Sequence, residues 1–215
     1  MGLSALVRWR FQSVMNQLSR VSTSAGLDGR QIAEQMLADN GISDVQILSV
    51  KGQLTDHYNP AKRTVNLSDW VYDQRSVAAA AVSAHEVGHA VQHATKYSFL
   101  SFRSAIVPVV SISNRFSPWV LMGGIAMIEI FPQLMIIGLV MLGASTLFSL
   151  ITLPVEFDAS RRALAWLDQT GISQGEEYDL AKKGLKWAAM TYVVAALSSL
   201  ATLLYYLSIF MSRRR

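Results

Sequence analysis

The sequence predicts an α-helical membrane protein carrying a small β-sheet, and three observations lead there. Of the 215 residues, 51% are hydrophobic, and they crowd into the second half of the chain instead of spreading as they would through one soluble core. Residues 133–153 and 188–211 are uncharged and long enough to cross the roughly 30 Å hydrocarbon layer as helices. Residues 45–68, in contrast, are short β-rich runs separated by turn residues.

In chain order, residues 1–20 lack the unbroken apolar stretch of a signal peptide. Leu3, Val7, Phe11, Val14 and Leu18 recur at helical spacing with Arg8, Arg10 and Arg20 elsewhere around the cylinder, which predicts an amphipathic helix lying on the membrane interface or packed onto the domain. Residues 27–41 form a helix, capped by Asp28 and stopped at Gly41, with Ile32, Met36 and Leu37 as its buried stripe. The runs 45–50, 53–59 and 63–68, separated by "KG" and "NPAK", predict an antiparallel sheet. Its exposed edge could hold an extended chain by strand addition.

Ser68 and Ser76 are plausible helix caps, and from Ser76 the alanine-rich run favours helix to about Lys96. A third apolar segment, 116–131, ends near Glu129, and "FP" at 131–132 predicts a tight turn into the span at 133–153. Pro154 sits at a favoured first-turn position of a new helix that closes at Gly171. A polar stretch with a short helix, 172–187, precedes the last span, and Arg213 to Arg215 read as an interfacial anchor. The expected organisation is therefore an amphipathic helix (1–20), the first part of the main domain with the sheet and the alanine-rich helix (21–103), a transmembrane hairpin (104–153), a helix and polar segment (154–187), and a final span with a basic tail (188–215).

Composition also excludes chemistry. The chain has no cysteine, hence no disulfide and no thiol nucleophile. Its net charge of +4 includes the three terminal arginines, and no nucleic-acid motif accompanies it.

Within the alanine-rich helix, residues 85–89 spell H-E-V-G-H. Positions i and i+4 share one helix face, so His85 and His89 can aim ring nitrogens at a single ion, and zinc suits such a pair. Glu86 is rotated about 100° from His85, beside the ion and within reach of a zinc-bound water, where a general base belongs. Zinc brings the pKa of its water to about 7, and the carboxylate can carry the proton from the attacking water to the leaving amine. Peptide hydrolysis is the reaction this arrangement serves. The bland alternative is two satisfied core histidines.

His93 continues the same ladder but lies about 12 Å along the axis from His85, too far for bonds of about 2 Å to one ion. No histidine follows it, so the third ligand has to be a carboxylate: Glu129, Glu156, Asp158, Asp168, Glu176, Glu177 or Asp179. Glu129 falls at the far end of the hairpin, and the residues from Asp168 onward lack a rigid support. Glu156 opens a helix just after the chain returns through the hairpin, which favours it. The competing explanation for Glu156 and Asp158 is attraction to a helix N-terminus.

At these residues the chain resembles the bacterial neutral zinc metallopeptidases of the YugP-like membrane family. The matching segments are "LTDHYNP" (54–60), "VNLS" (65–68), "SVAAAAVSAHEVGHAVQH" (76–93), "LPVEFDASRRAL" (153–164) and "MTYVVAA" (190–196). The resemblance implies a gluzincin-type Zn2+ site with His85, His89 and Glu156 as ligands and Glu86 as base. The plan is similar to that of the HtpX-like proteases. Two departures stand out. Many gluzincins carry, four residues after the ligand glutamate, an aspartate that orients a zinc-bound histidine; here that position is Ser160, and Asp158 is expected to face elsewhere. Family members also commonly begin with a transmembrane helix, where this chain has the amphipathic segment. His57, Tyr192 and Arg161 are candidates to stabilise the oxyanion, with Ser160 as a possible histidine partner.

Both halves of the site must lie on one side of the bilayer, which the hairpin allows. Arg103, Arg115, Arg161, Arg162, Lys182, Lys183 and Lys186 flank the membrane on that side against three arginines on the other, favouring a cytoplasmic site in a multi-pass protein of the cell membrane. The expected function is cleavage of peptides or membrane proteins by a membrane-embedded zinc endopeptidase. A non-catalytic zinc-dependent scaffold is the alternative, and Glu86 counts against it. A metal transporter fits less well, since the two long spans contain no histidine or carboxylate. Small residues at Gly123–Gly124 and 143–145 would permit close helix packing or a regulatory membrane partner, and the oligomeric state is not legible.

Overall fold

The structure, a computed structural model, describes residues 2–213; Arg214 and Arg215 of the expected basic tail lie outside the described residues. It is mainly helical: α1 (Gly2–Leu18), α2 (Gly29–Asp39), α3 (Asp69–Tyr72), α4 (Val77–Ala94), α5 (Ser98–Ala126), α6 (Pro132–Gln169) and α7 (Glu176–Ser212), with strands β1 (Gln46–Val50), β2 (His57–Asn59) and β3 (Thr64–Ser68). The chain divides into two compact units. One runs to Leu100 and takes in Val155–Thr191; the other is Ser101–Pro154 with the chain from Tyr192 onward.

In the first unit the predicted caps are in place. Asp28 accepts the Gln31 N–H while the Gln31 side chain returns the bond, a complete capping box, and Gly41 beyond the helix has φ +66. Ser76 caps α4 by accepting from the Ala79 N–H, whereas Ser68 occupies the cap of α3 without a side-chain bond. Ala78 to Ala81 are all buried, their small side chains letting α2 and the sheet close onto α4. Leu18, Ile32, Met36, Val65, Leu67, Val87 and Leu167 are fully buried around it. Each such side chain contributes about 1.5–3 kcal/mol by leaving water.

The expectation of an antiparallel sheet is corrected. The order is β1-β3-β2, with β1 parallel and β2 antiparallel to β3. β3 is buried along its whole length and so takes the centre. The "NPAK" turn does form the β2–β3 hairpin, held by Asn59 Oδ1 accepting from the Ala61 and Lys62 N–H groups. The segment after "KG" instead carries the chain past β3, so β1 and β2 never pair.

Two predicted boundaries also dissolve. Pro154 lies inside α6, which runs unbroken from the apolar span to Gln169, and the polar residues from Glu176 belong to the same helix as the last span. Proline removes one i−4 bond, but the helix bonds on either side of it keep α6 continuous. Pro108 and Pro118 are likewise inside α5. The turn expected near "FP" is present between α5 and α6.

In the second unit the buried apolar cluster is small: Leu121, Ile128, Met135 and Phe210. Trp119, Ile130, Val140 and Met211 are among many large apolar side chains left exposed. α5, α6 and α7 are each long and apolar enough to cross a membrane. Between them Ser145 bonds Asn114 Oδ1 at 2.7 Å and Thr146 bonds Ser199 at 2.8 Å, pairings that helices in an apolar solvent would require.

Candidate metal centre

Two helices of the first unit supply the site. α4 carries His85, Glu86 and His89 on adjoining faces, and α6 brings Glu156 across to them. The helices approach closely because residue 88 is glycine: a Cβ there would stand 2.7 Å from the Ala159 carbonyl oxygen. That contact sits one turn beyond Glu156 and sets how near its carboxylate can come.

His85 Nε2 lies 3.3 Å and His89 Nε2 3.7 Å from Glu156 Oε2, and one donor atom from each residue falls within 4.8 Å of the others. Two ligands of a tetrahedral zinc ion bonded at about 2.0–2.1 Å stand about 3.3 Å apart, so the trio has the right span. The imidazole rings are edge to face at 83°. His89 and Glu156 are buried and His85 nearly so.

The other nitrogen of each ring is engaged, which leaves Nε2 for an ion. Gln92, fully buried, donates its amide N–H groups to the Val155 carbonyl at 2.8 Å and to Asp158 Oδ2 at 2.9 Å. Its oxygen therefore faces His89 Nδ1, 3.0 Å away, and accepts a proton from it. The N–H is thereby fixed on Nδ1 and the lone pair on Nε2. Asp158 is anchored in turn by Arg162 Nε at 2.6 Å and by Arg161. On the other ring, Ser160 Oγ lies 3.1 Å from His85 Nδ1. The donor set thus fits zinc: two oriented imidazoles and one carboxylate, buried together.

Glu86 is buried beside the trio, and its Oε2 accepts the Tyr58 N–H from strand β2 at 2.9 Å. Burial pushes its carboxyl above the usual range, with the His85 and His89 rings opposing and Glu156 adding to the rise. A carboxylate of raised basicity next to a metal site is suited to take a proton from water.

The remaining candidates fall as follows. His93 stands apart from the trio, its Nδ1 2.7 Å from the Tyr58 hydroxyl. His57 is exposed and hydrogen-bonds its own loop at the Thr55 carbonyl, 2.8 Å. Arg161 is spent on Asp158, and Tyr192 belongs to the second unit. Of the rival carboxylates, Glu129 pairs with Arg213 at 3.4 Å, Glu177 accepts the Ser24 N–H at 2.9 Å, and Glu176 and Asp179 occupy the first turn of α7. Asp158, expected to face elsewhere, instead accepts from Gln92 of α4 and so reaches His89 at one remove. Gln92 and Tyr58 are not singled out by the H-E-V-G-H motif. The spacing of Gln92, three residues after His89 on one helix face, was the available signal.

Residues 1–211 match the family described as "Putative neutral zinc metallopeptidase". The protein named "Putative membrane protease YugP" of Bacillus subtilis (strain 168) is 40% identical over 214 residues, covering 100% of this chain and 94% of that protein. No solved structure matches.

Proposed function

We propose, from the premise that the chain belongs to the neutral zinc metallopeptidase family, that it is a membrane-embedded endopeptidase of gluzincin type. The observation that carries this reading is the convergence of His85, His89 and Glu156 with Glu86 buried at their side. His85, His89 and Glu156 would hold the ion, which when bound would supply acidification of a water and polarisation of a carbonyl. Glu86 removes the proton from the attacking water and delivers it to the departing amine. Gln92 and Ser160 keep the two rings pointed at the ion, and the Tyr58 N–H keeps the Glu86 carboxylate from swinging away. A scaffold that merely clamped a metal would have no use for Glu86.

Substrates are peptides or membrane proteins presented at the bilayer, with α5, α6 and α7 as spans and the site on the cytoplasmic side, where the flanking cations gather. The test starts from the detergent-purified protein. One zinc per chain is expected, retained by Glu86→Gln and lost by Glu156→Ala, together with cleavage of a quenched-fluorescent peptide pool by the wild type alone. Cleavage by Glu86→Gln at the wild-type rate would remove the assigned base, and zinc retained by Glu156→Ala would remove the third ligand.

A further inference from the structure

Helix α1 carries two apolar surfaces, and only one of them is used by the fold. Val7, Val14, Met15 and Leu18 are buried in the first unit. Leu3, Leu6 and Trp9, at successive intervals of three residues, form a second stripe and are 59%, 58% and 60% exposed. Large apolar side chains grouped in this way on one helix end mark a contact surface.

Charge indicates what the surface meets. Arg8, Arg10 and Arg20 are the only charged side chains in residues 1–27, and the first acid in the chain is Asp28. The direction of α1 adds a second indication. Its C-terminal end packs on Gly184 of α7, where an added Cβ would stand 2.7 Å from Leu18 Cδ1 and 3.3 Å from Met15 Sδ. Farther back along α1, the Arg10 guanidinium lies 5.8 Å over the Trp187 ring. Followed toward its N-terminus, α1 therefore runs along α7 as far as Trp187, next to the point where Lys186, the last cation before Arg213, gives way to the uncharged run starting at Ala188.

We propose that the Leu3–Leu6–Trp9 stripe inserts into the headgroup boundary of an anionic bilayer, with Arg8 and Arg10 on the lipid phosphates. A helix with apolar side chains on one side and cations beside them is built for that depth, and a tryptophan belongs there. This rests on the reading of α7 as a span, so the experiment tests the two separately.

The chain has no cysteine, so a single one can carry a spin label. Leu6→Cys and, independently, Trp9→Cys are labelled in the full chain, reconstituted into phosphatidylcholine–phosphatidylglycerol vesicles, and compared with Leu204→Cys, an exposed position inside the apolar run of α7. Accessibility to oxygen, which partitions into lipid, is measured against accessibility to a water-soluble nickel complex. The expected result is a several-fold preference for oxygen at residues 6 and 9, shallower than at residue 204. Labels at 6 and 9 reached freely by nickel while residue 204 reports lipid would overturn the proposal alone. All three in water would overturn the span as well. Labels at 6 and 9 shielded from both reagents, with broadening between labels, would mean that a second copy covers the stripe, and would also overturn it.

Discussion

Gln92 Oε1 lies 3.0 Å from His89 Nδ1, and the amide nitrogen of the same side chain is committed to Val155 and Asp158 on the opposite helix. One residue therefore fixes the tautomer of a proposed ligand and ties α4 to the helix bearing Glu156.

Replacing it tests that link. Gln92→Leu keeps the volume but leaves His89 Nδ1 and Asp158 without their partner. Zinc affinity, measured by competition with a chromogenic chelator, is expected to fall by about 10–100-fold. A cobalt-substituted sample should show a changed visible spectrum, which a merely destabilised fold would not produce. Unchanged affinity and spectrum would reduce Gln92 to a packing residue.

Gly88→Ala probes the approach of the two helices. The new methyl would meet the Ala159 carbonyl at 2.7 Å, a backbone atom that cannot swing aside. Thermal unfolding should reveal a loss of about 1–3 kcal/mol, together with weaker zinc binding as Glu156 is pushed back. A neutral outcome in both would mean that α6 shifts without cost.

His93→Ala removes a histidine that tempts assignment as a ligand. Its Nδ1 is 2.7 Å from the Tyr58 hydroxyl, so the expected cost is that of one hydrogen bond, about 0.5–1.5 kcal/mol. One zinc per chain should remain by metal analysis, and its loss would put His93 in the coordination shell.

Asp56 gives a pH-dependent prediction. It accepts from the Ser68 N–H and hydroxyl, but burial outweighs those bonds and raises its carboxyl above the ordinary 3.8. A carboxyl that holds its proton more tightly when folded stabilises the fold least once ionised. Stability is therefore lost as pH rises from 3.8 through the raised value and stays level beyond. Asp56→Asn keeps the acceptor oxygen and removes this dependence. Its melting temperature should gain on that of the wild type from about pH 4 upward and then hold a constant lead. A constant gap over the whole range would show that Asp56 does not titrate differently on folding.

Which of these features could be read from the sequence depends on how far their causes reach. His85, Glu86 and His89 are legible because helical spacing alone puts them together, and His93 is set apart by the same arithmetic of rise per residue. Glu156 needed one more step, the return of the chain through a hairpin. The Gln92–Asp158 contact depends on the rotational phase of two helices far apart in sequence, and no local pattern encodes that. The sheet order failed for a similar reason. β3 is central because helices cover it, whereas its residues read alone suit an edge as well. Pro154 misled because a proline also occurs inside a long helix whose remaining bonds carry it, as Pro108 and Pro118 do in α5.

The continuity of α6 through Pro154 has a mechanical consequence. Residues 133–153 and Glu156 belong to one helix with no loop between them to absorb a motion of the apolar run. On the proposed reading of that run as a span, a change of helix tilt with bilayer thickness would act directly on a ligand residue, and acyl-chain length is a variable to control in assays of metal affinity.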